Sequence, residues 1–63
     1  MQVDDDLFAR MVVGIQLAAI TFRKYEKLHR AKGTEDSNLK AEVNRHHAEQ
    51  LEALDKEAMQ VRP

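Results

Sequence analysis

Apolar residues recur every three to four positions along nearly the whole chain, in two blocks separated by a short polar segment rich in helix-capping residues. In the first block, Leu7, Met11, Ile15, Ala18, Phe22, Tyr25 and His29 form one stripe at about 100° per residue, flanked by Phe8. A second apolar set, Val12, Val13, Leu17 and Ile20, lies behind it over the first four turns. A helix that is apolar nearly all round is buried on more than one side. Beyond Phe22 the back of this helix becomes Arg23, Lys24, Lys27 and Arg30. The second block carries a single narrow stripe of Leu39, Val43, His47, Leu51, Leu54, Ala58 and Val61, opposite Glu42, Arg45, Glu49, Glu52 and Lys56. Arg45/Glu49 and Glu52/Lys56 stand four apart, the spacing of ion pairs on a solvated helix face.

The punctuation sets the ends. Asp4 or Asp5 is an N-cap, with further carboxylates in the first turn where the helix dipole favours negative charge. Gly33 suits the left-handed residue that closes a helix, and Lys27, Arg30 and Lys32 complement its carboxyl end. Thr34 is the expected N-cap of the second helix, with Asp36 or Ser37 as alternatives. The pattern predicts an all-α fold: helices over about 5–32 and 35–60, closed by a short turn into an antiparallel hairpin. Residues 1–63 form one domain, with 1–3 and 61–63 as frayed ends. Short-loop antiparallel packing gives a register in which facing residue numbers sum to about 70, so Phe22 faces His47 and Ile15 faces Leu54.

Length changes the picture. A lone 63-residue domain buries only about 60% of its unfolded surface, and is marginal without a staple or a partner. There is no cysteine for a disulfide, and a structural zinc site lacks its usual thiolates. Association remains, and the apolar set that the hairpin leaves over is where it is expected. The expected dimer interface is Val12, Val13, Gly14, Leu17 and Ile20, joining two hairpins into a four-helix bundle-like homodimer. Gly14 and Ala18, four apart, permit a close helix crossing.

Charge divides unevenly. The formal net charge is −1, with residues 1–33 at +2 and residues 34–63 at −3. Arg23, Lys24, Lys27 and Arg30 form a basic face that a partner protein or nucleic acid would meet. The apolar run Leu7–Phe22 spans 16 residues with Arg10 and Gln16 inside, short of the roughly 20 that cross a bilayer. Its acidic start and basic end are compatible with a peripheral membrane helix. Asp4–Asp6 stand where a secretory signal needs basic residues, so a cytoplasmic protein is expected.

Candidate chemistry is sparse. His46 and His47 with Glu42 and Glu49 are the one cluster resembling a metal or acid–base site. The order is His-x-x-Glu, the reverse of the di-iron bundle motif, and one helix supplies too few ligands for a closed site. The ordinary reading is a boundary His46 beside Glu42 and a core-edge His47 on Phe22, with a metal or pH-sensing role as the alternative. No nucleophile–base pairing or glycine-rich phosphate loop is present, so neither an enzyme nor a cofactor is expected. The expected function is a protein-interaction module, a hairpin homodimer acting as regulator, adaptor or inhibitor on an unidentified protein target. Phages and other mobile elements make compact chains of this kind. A nucleic-acid-binding dimer using Arg23, Lys24, Lys27 and Arg30 is the alternative, and a peripheral membrane helix the second.

Overall fold

The computed structural model describes residues 4–61 and contains two helices, α1 (Asp5–Lys32) and α2 (Glu35–Gln60), with no strand among the described residues. The expected fraying of residues 1–3, 62 and 63 lies outside them, while Val61 caps α2 by donating its N–H to the Ala58 carbonyl. Asp4 is the N-cap of α1, its carboxylate accepting the Leu7 N–H at 2.7 Å. Gly33 ends α1 at φ 72°, a left-handed conformation that a side chain would strain. Thr34 caps α2 through a reciprocal pair: its hydroxyl accepts the Ser37 N–H, and the Ser37 hydroxyl accepts the Thr34 N–H, both at 3.0 Å. A serine thus occupies the third position of the box, where a glutamate is usual. The whole reversal takes two residues, Gly33 and Thr34.

The hairpin is a rod of 46 × 15 × 15 Å. Its radius of gyration is 14.5 Å, against about 11 Å for a globular chain of this length. The register agrees with the sequence expectation: the Phe22 and His47 rings meet at 5.1 Å, and Gln16 donates to Asp55 at 3.2 Å.

Both helices turn a seven-residue repeat toward the seam. On α1 the covered positions are Phe8, Val12, Ile15, Ala19, Phe22, Glu26 and His29; on α2 they are Ser37, Ala41, Asn44, Ala48, Leu51, Asp55 and Ala58. Alternating steps of four and three keep a seam facing its partner along two supercoiled helices. The seam is thin. Among the described residues only Val12, Ser37 and the alanines at 19, 41 and 48 are buried, and of these Ala41 and Ala48 lose all exposure.

This rotation corrects the sequence-based stripes. Leu7, Met11, Ala18 and Tyr25 give way to the next residue along α1, and Leu39, Val43, His47, Leu54 and Val61 of α2 lie on exposed positions. Hydropathy ranks leucine above alanine, but alanine lets two backbones approach closely, and large α1 residues then fill the space beside small α2 ones. Phe22 comes level with Ala48 in this register, and Val12 with Ala58.

Candidate interaction surfaces

The seam divides the hairpin into two long sides. One carries Arg23, Arg30, Glu52 and Glu42, which pair across the helices; the other carries the Phe22–His47 contact and a shallow cleft between His29, Leu39 and Val43. Helical spacing distributes the remaining residues between them.

The paired side holds an unbroken chain of alternating charge. Glu52 accepts from Arg23 at 2.8 and 3.0 Å, and Arg23 donates on to Glu26 at 2.9 Å. Glu26, whose side chain is only 13% exposed, also meets Arg30. Arg30 crosses to Glu42, Glu42 accepts from Arg45 at 2.6 Å, and Arg45 reaches Glu49. The electrostatic consequences follow from these bonds. Hydrogen bonding from Arg45, and then from Arg30, holds the Glu42 carboxyl at about 2. Arg23 holds the Glu26 and Glu52 carboxyls below their ordinary value, and both glutamates raise the Arg23 guanidinium above its own, Glu52 more than Glu26. The expected Arg45/Glu49 pair is present, but Glu52 turns to Arg23, and no ion pair with Lys56 forms among the described residues.

That chain reshapes the basic face. Of Arg23, Lys24, Lys27 and Arg30, the two arginines are engaged by carboxylates, while Lys24 and Lys27 have no carboxylate within 4.0 Å among the described residues. The two lysines line an open groove of about 680 Å³ together with the apolar Ala19, Ile20 and Leu28 of α1 and with Glu52 and Asp55 of α2.

The opposite side is apolar on both helices. Leu7, Met11 and Tyr25 of α1 and Leu39, Val43, Leu54 and Val61 of α2 are all exposed there, Leu39 by 63% and Leu54 by 46%. The His47 ring lies between those of Phe22, 5.1 Å away, and His46, 6.3 Å away. The Nδ1 of His29 is covered and has no hydrogen-bond partner. The hydropathy stripes place Leu7, Met11, Tyr25, Leu39, Val43, Leu54 and Val61 in the hairpin core, whereas the fold leaves them on its surface.

The expected dimer patch divides. Val12 is 7% exposed and belongs to the seam, because it faces α2, so it is not available to a second copy. Val13, Leu17 (59% exposed) and Ile20 (64% exposed) stand on the outer ridge of α1. A Cβ at Gly14 would meet nothing within 4 Å, so the hairpin itself makes no close crossing there.

His46 and His47 have ring centroids 6.3 Å apart, and no group of three or more metal-ligating side chains exists among the described residues. Among those residues, no helix is long and apolar enough to cross a membrane. Comparison with protein-family models, with curated proteins and with solved structures finds no match.

Proposed function

We propose that this chain is a protein-interaction module that works as a homodimer, two hairpins joined into a four-helix bundle, and regulates or inhibits a partner protein by binding it. The observation that carries this reading is the uncovered apolar side to which both helices contribute. Surface area supports it. The hairpin exposes 5000 Å², whereas a compact monomer of 7.3 kDa exposes about 4200 Å². The excess of about 800 Å² matches what one partner loses in a standard protein interface.

A second copy fits that side better than it fits the ridge of Val13, Leu17 and Ile20. The ridge belongs to α1 alone and would join hairpins edge to edge, whereas the shared side stacks them face to face. With the two-fold axis at Ala18 and the α1 helices antiparallel, Met11 of one copy comes level with Tyr25 of the other. Asp4 then lies level with Lys32 of the other copy, and the opposed charges favour this direction. The orphaned Nδ1 of His29 also lies on this side, where a second chain can satisfy it.

Sedimentation equilibrium at micromolar concentration tests the proposal. The expected result is twice the 7.3 kDa chain mass, and a folded monomer at that concentration overturns it.

A further inference from the structure

Face-to-face pairing leaves the charged side and the α1 ridge pointing outward, one groove per hairpin. We infer that this groove is a docking site for an amphipathic helix of another protein, one whose edge facing α1 carries carboxylates. The inference rests on the reading above only in that the chain acts by binding, and it names the class of partner.

Three features define the occupant. The large apolar residues of the groove are uncovered: Ile20 is 64% and Leu28 49% exposed, and Leu17 and Val13 extend the same ridge toward the amino end. From Val13 to Ile20 the apolar row runs for about 11 Å at 1.5 Å per residue, roughly two helical turns, and Lys24 stands between Ile20 and Leu28 farther along it. Such a strip takes the apolar face of a helix laid along it.

The charges that line the groove are of opposite sign on the two helices. Lys24 and Lys27 border it on α1 with no carboxylate partner among the described residues, while Glu52 and Asp55 border it on α2. Glu52 is neutralised by Arg23, and Asp55 accepts a hydrogen bond from the neutral Gln16 amide at 3.2 Å. A helix with glutamates or aspartates along the edge facing α1 completes the two lysines, and a cationic or amide side chain on its other edge completes Asp55. Nucleic acid fits less well, because its phosphates would meet Glu52 and Asp55 and leave Ile20 and Leu28 uncovered.

The test uses two labelled helical peptides of about five turns. One has leucines along one face and glutamates beside them; the other has every glutamate replaced by lysine. The wild-type chain is expected to bind the acidic peptide at least about tenfold more tightly than the basic one by fluorescence anisotropy, and to lose most of that binding at high salt. The K24E/K27E double variant should reverse the preference, and Ile20→Asp should abolish binding of both peptides. Circular dichroism and light scattering on the same samples should show unchanged helicity and mass for both variants. Failure of the acidic peptide to bind, binding indifferent to K24E/K27E, a mass changed by Ile20→Asp, or lysine-dependent binding of a DNA duplex in place of the peptide would each overturn the inference. A dimer that ignores the peptide removes the groove and keeps the dimer; a monomer that binds it does the reverse.

Discussion

The two sides of one seam are built on opposite principles. On one, each arginine and glutamate of the chain running from Glu52 to Glu49 finds an oppositely charged neighbour within the single hairpin. On the other, Leu7, Met11, Tyr25, Leu39, Val43 and Leu54 stand in solvent with nothing to cover them. Ion pairs on exposed helix surfaces each contribute little, about 0.2–1 kcal/mol, but they are directional and specify how the helices are turned. Leucines contribute more per side chain, yet their attraction is non-directional, and it stays unused until another surface arrives. The hairpin thus pairs its weaker side internally and leaves its stronger one uncovered.

The contrast can be broken most sharply on the apolar side. Leu54→Asp places two carboxylates in the proposed dimer interface and should yield monomers at concentrations where the parent is dimeric, with a fall in thermal stability. Sedimentation and a melting curve check both. Leu17→Asp, on the outer ridge, should leave the dimer intact; the opposite outcome for the pair moves the interface to Val13, Leu17 and Ile20.

The seam itself comes next. Ala48 has no exposed surface, so Ala48→Leu overpacks the place where Phe22 comes level with it and should cost about 1–3 kcal/mol. In a domain of this size each kcal/mol lowers the melting temperature by roughly 4–8 °C, a shift calorimetry resolves. Gly33→Ala touches neither side and serves as the control. Its left-handed backbone makes a Cβ costly by about 1 kcal/mol, and urea denaturation should show that loss with oligomeric mass unchanged.

The smallest effect is ionic. The carboxyls of Glu42, Glu26 and Glu52 titrate lower in the folded chain than in the unfolded one, Glu42 at about 2 against 4.5. Their contribution is fully present above pH 4.5 and fades as pH falls toward about 2. Urea midpoints measured from pH 6 downward should therefore decrease across that window. They should fall less at high salt, which already screens these exposed pairs.

Much of this molecule is legible in its sequence, because the governing interactions are local. Asp4, Gly33 and Thr34 act on backbone groups three or four residues away, so the helix limits and the tight turn follow from residue type alone. The register follows from the turn's length, and Phe22 meets His47 as expected. The excess of apolar residues on α1 likewise shows that one hairpin cannot bury them all. The candidate surfaces were harder to place, since Val12 reads as surplus and Leu39 as core, and each occupies the other's expected position.

The sequence by itself determined two capped helices, their antiparallel register and an apolar surplus that one hairpin leaves uncovered. Only the tertiary structure decided how each helix is turned about its own axis. Two overlapping stripes on α1 and two on α2 satisfy the same periodicity, and the choice depends on contacts between residues 12 to 39 apart: backbone approach at Ala19, Ala41 and Ala48, and the bonds of Arg23 to Glu52, Arg30 to Glu42 and Gln16 to Asp55. Hydropathy carries no record of those distances, and so it could count the apolar residues of this chain without saying which of them face inward.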